Sequence, residues 1–194
     1  MTVDPNAATQ GFPSPRPARR QPGAVRYLVP ALVAGAVAVG LGVYGRVHEP
    51  AGTAFNLAGF SSTGAVKSWL ATAAFGLALV QVVSAFMVYG RLPGPGWAPA
   101  LHRWSGRIAF LVAVPVAVHC LYALGYQNYT PRVLWHSLLG CFFFGAFSAK
   151  MLILRMERLP GWLLPIIGGL VFVALTVVWL TSALWFFRTF GVTT

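Results

Sequence analysis

The chain has 194 residues, of which 57% are hydrophobic and only 9% are charged, and its formal net charge is +11 at pH 7. Soluble domains carry about 25% charged residues, so this composition excludes a water-exposed globular domain and predicts an integral membrane protein. The basic residues lie in the tail, the links and the helix ends, where they direct topology and contact lipid headgroups, and no nucleic-acid partner is expected.

The N-terminal tail, residues 1–25, is rich in Pro, Ala and Arg. It has no apolar face to bury, so we expect it to be disordered. The apolar run that follows is too long for a cleavable signal peptide and lacks a convincing cleavage site. The sequence therefore predicts a basic tail followed by a membrane domain over residues 26–190.

Five apolar stretches follow the tail, and each reaches the ~20 residues that cross a hydrocarbon core of about 30 Å. They predict an all-α integral membrane bundle of five transmembrane helices, at about 27–46, 68–90, 106–124, 131–154 and 161–187. Lys and Arg are most frequent in the tail and in the second and fourth links, which predicts a cytoplasmic N-terminus and an outer C-terminus. We expect a multi-pass protein of the bacterial cytoplasmic membrane, in contact with the lipid bilayer.

The first two spans carry small and polar residues that are expected to contact another helix or a ligand. Ala36 with Gly40, and Ala38 with Gly42, have the small-xxx-small spacing that lets helix backbones approach closely, within the chain or between copies. A homo- or hetero-oligomer through span one is therefore one expectation. In the middle of span two, Gln81 is expected to donate either to a quinone oxygen or haem edge, or to a neighbouring helix.

Spans three and four form a hairpin, "VPVAVHCLYALGYQNYTPRVLWHSLLGC", with one histidine on each arm. Gly125 is a natural C-cap for the first arm, and Thr130 with Pro131 predicts an N-cap and first helical residue for the second. Counted from these caps, His119 and His136 lie about 7.5 and 9 Å deep at 1.5 Å per residue. The two imidazoles are thus expected at nearly the same level of the outer leaflet.

The surroundings of both histidines favour a flat, bulky ligand. Pro115, four residues before His119, is expected to kink the helix, and Gly140, four residues after His136, leaves room beside its own backbone. Neutral imidazoles facing each other across a gap are what the iron of a low-spin haem b requires as axial ligands. The pair predicts one non-covalent haem b with His119 and His136 as metal ligands, since no Cys-x-x-Cys-His motif is present.

Two considerations keep the alternative open. Each histidine can instead bond a neighbouring helix and stabilise packing. A haem also needs its ligand helices further apart than the 8–10 Å of closely packed helices, so spans three and four must splay or sit diagonally. Tyr122 lies three residues after His119, and the outer end of the hairpin carries Tyr126, Tyr129 and Arg132. Arg132 can pair with haem propionates, or these residues can form a simple interfacial belt.

For the cysteines, His102 and the acidic residues, the sequence favours no catalytic role. Cys120 and Cys141 differ in expected depth, at ~6 and ~16 Å from the outer ends of their helices, so both are predicted to be packing residues and not a disulfide. His102 is too far along the helix to share an iron with His119, and is expected to form a hydrogen bond or contact a phosphate group at the membrane interface. Acidic residues are too few for hydrolysis by paired carboxylates.

The segment "LHRWSGRIAFLVAVPVAVHCLYALG" resembles the helix start and intramembrane histidine of cytochrome b561-like and ferric-reductase-like transmembrane proteins. Together with "HSLLGCFFFGAFSAK", it also resembles a family of small, uncharacterised five-span proteins common in actinobacteria. The first resemblance implies a haem b core that moves electrons, with His119 as an axial ligand and His136 opposite. Only one plausible histidine pair exists here, against two haem sites in the b561 pattern.

The sequence therefore predicts a membrane cytochrome b-like electron-transfer subunit with one bis-histidine haem b near the outer leaflet. Its expected partners are a quinone or a redox protein. The alternative is a cofactor-free membrane anchor or assembly subunit of a larger complex.

Overall fold

The computed structural model describes residues 23–52, 56–57 and 59–194. In these ranges every regular element is helical and no strand occurs. Five of the described helices are long and apolar enough to cross a membrane, which confirms the predicted all-α bundle. The tail over residues 1–22 lies outside the described residues, so its expected disorder stays a prediction.

The spans are built from six α-helices, two π-helical segments and a 3₁₀-helix, Ala24–Tyr27, that precedes the first α-helix. In chain order the α-helices are α1 (Leu28–Val47), α2 (Thr63–Val88), α3 (Ala98–Val118), α4 (Pro131–Ile153), α5 (Leu163–Trp179) and α6 (Trp185–Phe190). A π-helix, His119–Leu124, extends α3, and a second, Leu180–Leu184, joins α5 to α6. Helices α2 and α3 begin earlier than the predicted residues 68 and 106, because their first turns are helical but not apolar enough to register in hydropathy.

The five spans form a ring in the order α3, α2, α5, α4 and α1. Helix α2 packs mainly on α3, α1 packs on α4, and α4 packs on α5, while α2 and α5 meet more lightly. Helices α3 and α4 are consecutive in the chain but are not a closely packed pair. The splayed arrangement that a bulky ligand between them requires is therefore present.

Small residues bring α1 against α4. A Cβ added at Gly145 of α4 would meet the Ala34 carbonyl oxygen and would lie 3.0 Å from the Ala38 Cβ. A Cβ added at Gly42 would lie 3.9 Å from the Cys141 Sγ. The Ala38–Gly42 spacing is thus used within the chain, which leaves the face with Gly40 open, since nothing lies within 4 Å of a Cβ added there.

Aromatic rings connect α3 and α4 only towards one end of the bundle. Phe110 stacks on Phe147 with ring centroids 4.1 Å apart and meets the edge of Phe144 at 5.8 Å. These rings lie near the middle of the bundle, on the side of the end where residue 23 and the α2–α3 link lie, and we call that end the N-terminal end. Towards the opposite, C-terminal end the two helices enclose open space instead.

At the C-terminal end, the start of the α1–α2 link is hydrogen-bonded to the end of the π-helix that extends α3. Gly125 ends the π-helix with φ 70°, and Thr130 caps α4 by accepting the Val133 N–H at 3.3 Å, so both predicted caps are confirmed. The link after α1 lies across the end of α3, where the Ala51 N–H donates to the Tyr122 carbonyl at 3.1 Å. These bonds fix the helix ends that border the open space.

Candidate functional site

A cavity of about 540 Å³ lies inside the C-terminal half of the bundle, between α3 and α4. Its volume is within the range of about 300–1,000 Å³ that is typical of ligand pockets. Every span contributes to the lining, which is largely apolar, with Phe143, Phe144 and Leu175 on its walls. Six lining side chains carry polar groups central to its chemistry: Lys67, Cys120, Arg132, His136, Ser137 and Thr181.

Both π-helical segments border this cavity. The first supplies Cys120 and the second supplies Thr181. Single π-helical turns are rare, costly and often found at functional sites. The first begins four residues after Pro115, whose missing N–H and bulky ring disturb the α-helical bonding. The residue at which the sequence predicts a kink is therefore where the helix widens.

His136 presents one ring nitrogen to the cavity. Its Nδ1 lies 3.3 Å from the Thr181 Oγ1, and the Thr181 hydroxyl donates its single hydrogen to the Val177 carbonyl at 2.6 Å. Thr181 must therefore accept from the Nδ1–H of His136. This tautomer leaves the lone pair of Nε2 free, and that atom lies 4.0 Å from the Sγ of Cys120.

His119 is placed differently from its predicted partner. It is 9% exposed and does not line the cavity. The hydrogen bond from Gln81 to Ser105, at 2.7 Å, fixes the antiparallel register of α2 and α3 and puts His119 level with Lys67. The structure therefore buries His119 away from the cavity lining, and Cys120 is the residue that contacts His136.

Gly140 and Arg132 both line the cavity, as predicted ligand contacts would. A Cβ added at Gly140 would meet nothing within 4 Å, so the space beside this backbone is open. Arg132 donates through Nη1 to the Thr181 carbonyl at 2.6 Å, and its guanidinium lies 3.9 Å from the ring centre of Trp185. These contacts hold the arginine at the cavity wall.

The charge of the cavity wall is entirely positive. Lys67 and Arg132 line it, and no Asp or Glu among the described residues does so. Ionisable groups inside a membrane usually pair with an opposite charge or face a functional cavity. An anionic group on a bound molecule would supply the missing charge.

The other two predicted site residues lie elsewhere. Tyr122 is 48% exposed and stacks on His48, with ring centroids 5.0 Å apart. Gln81 donates to Ser105 and to the carbonyl oxygen of His102, near the N-terminal end of the bundle. Gln81 is therefore an interhelical bond donor in this structure, as the alternative interpretation expects.

Two cavity residues were missed as site residues in the sequence interpretation. The sequence predicts a packing role for Cys120 because its expected depth differs from that of Cys141, although it matches that of His136 within one helical turn. Thr181 lies in the longest apolar run of the chain. The sequence there shows only a hydroxyl group one helical turn after Val177, which does not by itself indicate a site residue. Neither position could be oriented without knowing where the π-helical turns occur.

The comparisons with known proteins identify one family. The description "Family of unknown function (DUF6529)" applies to residues 27–194, which include all of the helices α1 to α6. No curated protein and no solved structure matches the chain. The resemblance to cytochrome b561-like and ferric-reductase-like proteins thus stays a prediction.

Proposed function

The chain belongs to this family of unknown function, and we propose that it is a membrane cytochrome b-like subunit that holds one haem b. The observation that carries the proposal is the His136 imidazole, whose free Nε2 lone pair lies at a cavity of about 540 Å³. A bound haem would supply reversible one-electron chemistry, and the protein would supply its position and surroundings. Its electron partner would be a quinone or an external redox protein.

The contacts of His136 support the role of an axial ligand. Metal-bound histidines almost always donate their second ring N–H to a protein acceptor, which fixes the tautomer and the ring orientation. Thr181 provides that acceptor at 3.3 Å. The ring of His136 is thus oriented before any ligand binds.

The rest of the lining matches the shape and charge of a porphyrin. Gly140, one turn below His136, leaves open space for a flat ring, and aromatic and aliphatic side chains supply apolar walls. Lys67 and Arg132 are cations that two propionate groups would pair with. Haem b combines these features in one molecule: a flat apolar ring, two acidic groups and a metal that binds imidazole.

The proposal does not use His119. Ligation by both predicted histidines would require the segment after Pro115 to turn about its axis, because neighbouring residues differ by about 100° around a helix. His136 is therefore the ligand on which the proposal depends.

The test is the absorption spectrum of the full-length protein, purified in detergent after reconstitution with haemin. We expect a reduced-minus-oxidised α-band in the wild type and its loss in His136→Ala. The matched control is His102→Ala, since that ring bonds Ser84 at the other end of the bundle, at 3.0 Å, and its loss should leave the haem content unchanged. A wild type that binds no haem, or a His136→Ala variant that keeps all of it, would refute the proposal.

A cofactor-free anchor or assembly subunit is the second candidate, and the open face of α1 favours it. Val29, Leu32 and Val39 are 62–64% exposed on this face, and a Cβ added at Gly35 or Gly40 meets nothing within 4 Å. Such a face suits lipid or a closely packed helix of another subunit. A colourless protein that co-purifies with a defined membrane partner would support this function.

A further inference from the structure

We infer that Cys120 ligates the haem iron opposite His136, in the role that the sequence assigns to His119. The inference rests on the proposed function and names the second ligand of the same site. It would make the iron a histidine–thiolate centre and not a bis-histidine one. Cysteine thiolate is an established class of haem ligand, with consequences for reactivity that differ from those of histidine.

The distance between the two donor atoms carries the inference. The Cys120 Sγ lies 4.0 Å from the His136 Nε2. Protein nitrogen and sulfur ligands bond a metal ion such as zinc at about 2.0–2.1 and 2.3 Å, so donors on opposite sides of one ion lie at most ~4.4 Å apart. The donor pair is thus within a few tenths of an ångström of spanning an iron atom.

The contact between these atoms suits a thiol that can be replaced by a metal-bound thiolate. If His136 carries its proton on Nδ1, next to the Thr181 hydroxyl, its Nε2 is the acceptor and the Cys120 thiol is the donor of the S–H···N contact. Cys120 would hold a ferric iron as its thiolate, so the thiol would give up its proton to water on ligation. No electron is transferred in this step, so it requires no additional oxidant or reductant.

The charge of the cavity also suits a thiolate. A buried thiolate is costly unless opposite charge is close, and the wall contains Lys67 and Arg132 but no acidic residue among those described. His119 has neither advantage, since it does not line the cavity. The first π-helical turn therefore presents the sulfur, and not the imidazole, to His136.

Cys141 offers a matched control. It also lines the cavity, but its Sγ lies 3.9 Å from the position of a Cβ added at Gly42, at the α1–α4 contact. Among the described residues its thiol makes no hydrogen bond to His136, whereas that of Cys120 does. Removing its sulfur should change packing without changing the iron.

The experiment compares four forms of the full-length protein after haemin reconstitution: the wild type, Cys120→Ser, Cys141→Ser and His119→Ala. The readouts are electron paramagnetic resonance of the ferric state and the Soret band of the ferrous carbon monoxide complex. We expect thiolate signatures in the wild type, in Cys141→Ser and in His119→Ala. We expect Cys120→Ser to bind haem through His136 but to lose those signatures.

The outcomes separate this inference from the proposed function. If haem binds and the thiolate signatures are absent from the wild type, or if His119→Ala alone changes the iron spectrum, Cys120 is not the ligand and the cytochrome proposal stands. If no form binds haem, both fail. Elution as a single detergent-solubilised species shows whether Cys120→Ser is folded, and Cys120→Ala gives a second, smaller substitution for the same readouts.

Discussion

The hydroxyl group of Thr181 helps to determine which ring nitrogen of His136 carries the proton. Thr181 uses its hydrogen for a backbone carbonyl one turn earlier and so can only accept from His136. Many threonines in membrane helices donate their hydroxyl hydrogen to the carbonyl one turn earlier, and this bond satisfies the hydroxyl group within the helix. What is particular to Thr181 is the π-helical segment, which turns this hydroxyl towards α4.

This arrangement predicts the effect of Thr181→Val, a change that preserves the side-chain shape. Thr181→Val removes the hydroxyl acceptor of His136 and leaves the Val178 carbonyl as its backbone partner, and removal of such outer partners typically weakens metal binding by about 10–100-fold. We expect haem affinity to fall by that order, as measured by haemin titration of the purified protein.

The matched control is Thr176→Val on the same helix. The Thr176 hydroxyl donates to the Phe172 carbonyl at 2.8 Å, and Thr176 does not line the cavity. We therefore expect Thr176→Val to leave haem affinity unchanged. Equal losses in the two variants would mean that the effect comes from α5 as a whole and not from the hydrogen bond.

At the scale of elements, the α1–α4 contact depends on the absence of one side chain. Gly145→Ala places a methyl group against the Ala34 carbonyl and the Ala38 Cβ, so the two helices must move apart. Overpacking of this kind costs about 1–3 kcal/mol of stability. We expect a lower midpoint of thermal unfolding in detergent, followed by circular dichroism.

Gly168→Ala supplies the comparison, because nothing lies within 4 Å of a Cβ added there. Alanine is favoured over glycine inside a helix by about 0.5–1 kcal/mol, so this variant should be at least as stable as the wild type. If Gly145→Ala were equally stable, the close approach of α1 and α4 would not be a determinant of the fold.

The helices themselves were predictable, and the order of their packing was not. Long apolar runs mark membrane spans because the bilayer requires them, and Gly125 and Thr130 mark helix ends because of their backbone preferences. The order in which the five spans pack around the bundle leaves no comparable pattern in the sequence. Apolar side chains that face lipid resemble those that face another helix, so hydropathy cannot tell which neighbours α3 and α4 choose.

The candidate site was predictable in depth but not in direction. Counting along each helix places His119, Cys120 and His136 within one turn of each other in height. Neighbouring residues nevertheless point about 100° apart, and the π-helical turn shifts the phase of everything after His119. A sequence-based depth argument therefore could not distinguish which of two adjacent residues faces His136.

At the scale of the whole molecule, the two ends of the bundle differ in charge. The N-terminal end is tied together by Arg26, which donates to the Glu157 and Arg158 carbonyls at 3.0 and 2.8 Å. The tail, the links and the helix turns on this side together carry most of the lysines and arginines. Because such links remain in the cytoplasm, we expect the cavity to lie in the outer half of the membrane.

Reporter fusions test this orientation. Alkaline phosphatase fused after Thr194 should be active, and green fluorescent protein at the same position should be dark, because the C-terminus is expected outside. Fusions truncated after Gly96, in the α2–α3 link, should show the reverse pattern. The opposite results would place the cavity in the cytoplasmic half of the membrane. The electron partner of the proposed haem would then have to be sought on that side, since the site lies within a few helical turns of only one surface.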